Sequence, residues 1–273
     1  MSEQLVTYEL DGDVALIGLN RPEKRNALSS ALQDQLRENA MRAEKEAKAA
    51  VIFSHGQHFC AGLDLGEAVG WMTDHMNHVE MRIGTADVAR PFDYMARGRI
   101  PFVAAINGAC IGGGLEIASS CHVRVADTTS FFALPEGQRG IYIGGGGSVR
   151  IARLLGVARM MDIMLTGRVL SADEAERFGI LQYLVPEGEQ FDRAVSLARR
   201  IAANAPLTNW AVMHGLPRIQ DYSYDDGLFV EGLFSHIVAS PESSERIKAF
   251  VEGRAERLAK PGSSGDGKPA GES

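Results

Sequence analysis

The chain has 273 residues, 45% of them hydrophobic and 23% charged, the composition of a globular protein with one large core, or one core plus a small appendage. A formal net charge of −7 without any Lys/Arg block excludes nucleic acid as the main partner, because phosphate binding needs a concentrated basic surface. No apolar run reaches the roughly 18 residues that cross a bilayer, the start Met1-Ser2-Glu3-Gln4 lacks the order of a secretory signal, and Cys60, Cys110 and Cys121 are an odd set that reads as small buried hydrophobes and not as a disulfide framework, so a cytoplasmic protein without membrane contact is expected.

Residues 6–9 and 14–19 read as two short strands joined by Asp11-Gly12-Asp13, a strong hairpin signal. Pro22 and Asn26 mark a loop. Ser29 starts a helix in which Leu32, Leu36, Ala40 and Ala43 recur at helical spacing among charges, and 49–53 is a buried strand. The alternation continues with 101–106 extended, 113–120 helical, 123–126 extended and 147–155 helical, which predicts an α/β layout. Ser171-Ala172-Asp173-Glu174 is a capping box opening a helix that Gly179 closes, and 181–185 follows as a strand. From 189 to 258 the pattern is helical, with interruptions expected at Pro206, Pro217 and Pro241. A core over 1–203 is thus followed by a helical appendage over 204–260 and a Gly/Ser/Pro-rich tail over 261–273 that is expected to be disordered. No internal repeat is visible.

Two glycine-rich stretches stand out: Gly108 to Gly114 ahead of Glu116, and Gly140 to Gly147. Consecutive glycines cost backbone entropy, so they point to unusual dihedrals or to a ligand pressed against bare backbone; plain tight turns are the alternative. Neither stretch completes the dinucleotide spacing G-x-G-x-x-G, and no P-loop pattern occurs. If Gly113 opens a helix, its free N–H lies at the positive end of the dipole and Glu116 shares that face. Glu136 follows the apolar run Phe131-Phe132-Ala133-Leu134-Pro135, where burial would raise its pKa. His55-x-x-His58-x-Cys60 and the pair His75 and His78 have tolerable ligand spacing but no remaining ligand set, so no metal is expected. No G-x-S-x-G elbow of a serine hydrolase exists.

Four segments together resemble the crotonase, or enoyl-CoA hydratase and isomerase, superfamily: Arg21-Pro22-Glu-Lys-Arg-Asn26-Ala27-Leu28, Phe59-Cys60-Ala61-Gly62-Leu63-Asp64-Leu65, Asn107 to Glu116, and Pro135-Glu136 running into the Gly144 loop. The similarity continues through Leu165-Thr166-Gly167-Arg168 and covers nearly the whole chain. It implies a spiral of ββα units closed by C-terminal helices and assembled as a homotrimer or a dimer of trimers. It further implies that the backbone N–H groups of Leu63 and Gly113 form an oxyanion hole, that Glu116 activates water, that Glu136 donates a proton, and that Gly144 positions water through its backbone. By the same resemblance Arg25, Ala27, Leu28, Ala61, Asp64 and Phe250 bind coenzyme A as part of the substrate, no separate cofactor is needed, and Trp71, Met72 and Met76 help line the acyl pocket, with helix packing as the equally plain alternative for these three. The expected activity is syn addition of water to a 2-enoyl-CoA. Thioester hydrolysis, alone or after hydration, double-bond isomerisation and retro-aldol cleavage use the same hole, and a non-catalytic acyl-CoA binder is the alternative outside the class. Three positions depart from the family pattern: Ile143 replaces the usual proline, the Gly144 loop has one extra glycine, and Gly253 sits where familiar hydratases carry a lysine, with Arg254 beside it.

Overall fold

The computed structural model describes residues 3–76 and 92–254, with 71–76 described by backbone alone. The chain divides into two compact units, Met1–Ala203 and Asn204–Ser273.

In the first unit β1 (Val6–Asp11) and β2 (Val14–Leu19) form an antiparallel hairpin whose register pairs Asp11 with Val14 across Gly12, at φ +58°. A two-residue turn that needs a left-handed backbone suits glycine. Helix α1 (Ser30–Glu46) is capped by Ser29, whose side chain accepts from the Leu32 N–H, and it buries Leu32, Leu36, Ala40 and Ala43 as their spacing predicts. There follow β3 (Ala49–Ser54), α2 (Leu65–Met76), α3 (Asp93–Ala96), β4 (Phe102–Ile106), β5 (Ala109–Ile111), α4 (Gly113–Ser120), β6 (Val123–Asp127) and β7 (Phe131–Ala133). After a 3-10 turn over Pro135–Arg139 come α5 (Gly147–Leu155), α6 (Val157–Thr166), β8 (Leu170–Ser171), α7 (Ala172–Arg177), β9 (Tyr183–Val185) and α8 (Gln190–Ala202).

The main sheet runs β1-β2-β3-β4-β6-β9, parallel from β2 onward. Its inner strands are buried on both faces, which is why they read as continuous apolar runs. Ile52, Ala104 and Ile106 join Leu32 and Leu36 in the larger core, while Val51, Val103, Ala105 and Val125 pack with Ala194, Leu197 and Ala198 of α8. Helix α8 therefore belongs to the sheet.

A second, smaller sheet, β5-β7-β8, contains strands of two or three residues. Single parallel bridges, Cys60 to Cys110 and Leu28 to Leu63, extend its line. The path from main-sheet strand to second layer repeats after β3, β4 and β6, a structural repetition absent from the sequence as a repeat. Arg124, buried in β6, donates through Nε to the Ile180 carbonyl at 2.6 Å and through Nη1 to the Cys121 carbonyl at 2.6 Å, tying the end of α4 to the later chain.

The second unit contains α9 (Pro206–Ile219), α10 (Tyr224–Val238) and α11 (Pro241–Val251). Pro206 and Pro241 open helices, where a missing N–H costs nothing. Pro217 does not interrupt the chain as expected: it sits inside α9 near its end, so only one ladder bond is lost. Helices α9 and α10 pack through Trp210 and Phe234, whose ring centroids lie 5.8 Å apart. The expected disordered tail, 261–273, lies outside the described residues.

Candidate active site

The second layer brings two loops side by side. The Ala61 N–H donates to the Arg25 carbonyl, Leu28 N–H to Gly62, and Asp64 N–H to Leu28, at 2.8–3.0 Å, so 25–28 and 61–64 form one zipped strip. Asn26, fully buried, fixes the turn before it: its Oδ1 accepts the Arg21 N–H at 2.7 Å and its Nδ2 donates to the carbonyls of His55 and His58. Arg25 and Asn26 both adopt positive φ, 52° and 55°, a strain that this buried network holds in place. Asp64 pairs with Arg21 at 2.6 Å and accepts the Gly66 N–H at the start of α2; the Arg21 hydrogen bond holds its carboxyl below the usual range. Five of the residues expected to bind coenzyme A are thereby brought together. The sixth, Phe250, is exposed in the second unit.

In this parallel pairing Leu28 engages Gly62 and Asp64, which leaves the intervening Leu63 N–H pointing away from the strip. Gly113 lies next to it: a methyl group built on Gly62 would come within 3.6 Å of the Gly113 nitrogen. Gly113 begins α4, so its N–H has no partner within the helix. Neither amide donates to any acceptor among the described residues. Gly112, at φ +52°, makes the entry: its own N–H donates to Ala133 at 2.9 Å, and it turns the chain so that the next amide faces outward.

Glu116 follows on the same helix and is 7% exposed. Its Oε1 accepts the Gly147 N–H at 3.0 Å, and the Gly145 amide also supports it. Burial pushes its carboxyl up to about 7, against the lowering effect of these amides and of Arg150, with a small further rise from Glu136. Glu136, also 7% exposed, sits in the 3-10 turn with Oε1 only 2.7 Å from where a Gly112 side chain would begin. Burial raises its pKa as well, and its Oε2 has no hydrogen-bond partner among the described residues. Two carboxyls with raised proton affinity thus flank two free amide donors.

The structure does not bring Gly144 to a carboxylate. It is exposed with open space where a side chain would begin, and Gly145 and Gly147 contact Glu116 instead. A run of four glycines carries no side-chain pattern that could set this register. Trp71, Met72 and Met76 lie outside the residues whose side chains are described. Phe92 reaches the site, its ring 2.8 Å from where a Gly145 side chain would begin, whereas Met95 is fully buried in the core. Of the histidines with metal-like spacing, His55 bonds Thr7 Oγ1 at 2.9 Å, and His58 Nδ1 accepts the Ala109 N–H at 3.2 Å.

The enoyl-CoA hydratase/isomerase family model matches residues 9–259. The chain belongs to that family. Among relatives of this enoyl-CoA hydratase/isomerase family member, a Rhizobium meliloti protein named "Probable enoyl-CoA hydratase" is 33% identical, covering 93% of this chain and 97% of its own. The short-chain-enoyl-CoA hydratase of Clostridium acetobutylicum is 31% identical, covering 91% and 95%. A crystal structure of a Rhodopseudomonas palustris protein assigned as an enoyl-CoA hydratase superposes with TM-score 0.83 at 43% identity, covering 92% of this chain and 96% of that one. The mixed α/β architecture is that of these family structures.

Proposed function

We propose that this family member is an enoyl-CoA hydratase, adding water in syn fashion across the double bond of a 2-enoyl-CoA. The observation that carries the reading is the pair of buried carboxyls, Glu116 and Glu136, beside the free amides of Leu63 and Gly113. The thioester oxygen accepts from both amides, which stabilise the enolate as negative charge develops; each such donor contributes roughly 3–4 kcal/mol. Glu116, ionised, takes a proton from water as its oxygen attacks the β-carbon, held in place by the Gly145 and Gly147 amides. Glu136, protonated, gives its proton to the α-carbon; its raised pKa and unpartnered Oε2 suit a donor aimed at substrate. These groups supply the proton transfers and the charge stabilisation without a separate cofactor.

The strip 25–28 and 61–64 holds the coenzyme A portion, with exposed Arg25 available to its phosphates and Phe250 reaching it from a neighbouring protomer. The assembly is a trimer or a pair of trimers, supported by the exposed apolar residues of α10. A cytoplasmic setting agrees with three buried thiols, all free. No helix among the described residues is long and apolar enough to cross a membrane. Turnover on a panel of enoyl-CoA thioesters, with product masses read directly, tests the reaction: a gain of one water with CoA retained is expected, and release of free CoA or an unshifted mass would overturn hydration.

A further inference from the structure

We propose that Arg150, held by Asp93, is a positioning residue that fixes the Gly145–Gly147 turn so that its amides engage Glu116. The inference deepens the reading of Glu116 as base and rests on it for its catalytic meaning. Arg150 lies on the first turn of α5, three residues after Gly147. Its Nη1 donates to Asp93 Oδ1 at 2.8 Å, and its Nη2 donates to the Gly145 carbonyl. Both side chains of the pair are largely buried, 15% and 24% exposed. The guanidinium also lies against Gly146, whose φ is +90°: a side chain built there would begin 2.5 Å from Nη1 and 2.8 Å from Cζ.

One planar cation therefore grips the turn from beneath at a carbonyl, while the amides of the same turn face Glu116 from above. A guanidinium can do this because its donors are fixed in a rigid fork, and Asp93 holds that fork at its other side. Asp93 belongs to α3, an element distinct from both α4 and α5, so the carboxylate's setting depends on three elements meeting at one arginine. The charges that face Glu116 are Arg150 from α5 and Glu136 from the 3-10 turn; Arg153 on the same helix is exposed, and Arg139 acts on Glu136. Asp93 offsets the charge of Arg150 by pairing with it. Removing the cation and removing its counter-ion should consequently move the Glu116 proton in opposite directions, which a role confined to packing would not do.

The test uses Arg150→Met, Arg150→Lys and Asp93→Asn in the full-length protein. The Glu116 carboxyl is titrated by infrared difference spectroscopy, its band assigned by subtraction of Glu116→Gln, and steady-state kinetics are taken over the same pH range. Arg150→Met should move the titration up by about half a pH unit or more and Asp93→Asn should move it down; Arg150→Lys, which keeps the charge, should leave it near the parent. Arg150→Met should lower kcat roughly tenfold to a hundredfold with KM changed less than about threefold, and lysine should restore part of that loss. An identical titration in all three variants, or shifts of the same sign in Arg150→Met and Asp93→Asn, would overturn the inference. Should Arg150→Met fail to fold, the lysine and asparagine variants still decide it. Opposed titration shifts that the pH–rate profile does not follow would uphold the positioning role and sink the assignment of Glu116 as base.

Discussion

Glu116 and Glu136 are both buried, and each substitution by glutamine keeps shape while removing a transferable proton. Both variants should fold and lose at least about a hundredfold in kcat, measured as hydration of a short enoyl-CoA; near-normal turnover in either would remove that residue from the mechanism. Burial also ties Glu116 to stability. Its carboxyl rises from an ordinary 4.5 to about 7 in the folded protein, so the folded state holds the proton more tightly than the unfolded one. That contribution is complete below pH 4.5 and is lost as pH rises through about 7. Glu116→Gln removes the titration and should therefore match the parent near pH 4.5 but exceed its stability at pH 8, by an amount on the order of 2–3 kcal/mol. Thermal unfolding at the two pH values and equal protein concentration checks this; parallel pH dependence of parent and variant would contradict it.

At the scale of elements, the entry to α4 separates two glycines with different tasks. Gly112 needs its positive φ, and a side chain there would also meet Glu136 Oε1, so Gly112→Ala should cost roughly 1–3 kcal/mol of stability along with activity. Gly113 has no such backbone demand, and a side chain on it would first meet the end of the Leu28 side chain, Cδ1 at 2.7 Å, with the Gly62 backbone in ordinary contact at 3.8 Å. Gly113→Val should accordingly fold and assemble yet lose activity far more than stability, read by circular dichroism beside kinetics; a fully active variant would sink the oxyanion-hole assignment. The sequence made this helix legible because three consecutive glycines at a strand-to-helix junction signal bare backbone and a free amide, and it made α1 and the Ser171 capping box legible through spacing and cap chemistry. Strands β5, β7 and β8 were not legible, since two or three residues carry no periodicity. Arg150 was missed for a related reason: on a helix of mixed residues an arginine that grips a carbonyl cannot be told from one in solvent. Glu116 and Glu136 could be singled out because a charge beside glycines or directly after an apolar run contradicts its surroundings.

For the whole molecule, the exposed apolar residues of the second unit are the dominant feature. Phe234 packs against Trp210 within that unit, but Leu228, Leu233 and Ile237 on α10 remain about half exposed, at 48%, 50% and 46%, and Phe229 is 69% exposed. Apolar surface of this extent is what the proposed assembly would bury. Light scattering at micromolar concentration should give a trimer or a multiple of it, and Leu233→Glu should lower that mass; a monomeric parent would refute the assembly.

The two amides proposed to hold the substrate oxygen come from separate turns of the chain, one after Gly62 and one after Gly112, and single parallel bridges in the second layer keep them together. Neither turn makes half a site that works alone. During refolding, α1 and α8 can begin to form through local contacts before they pack on the sheet and should regain circular dichroism early, whereas pairing distant strands must first close long loops. Recovery of catalysis in a stopped-flow refolding experiment should therefore lag behind the return of helix, and the length of the lag would time the closure of the second layer.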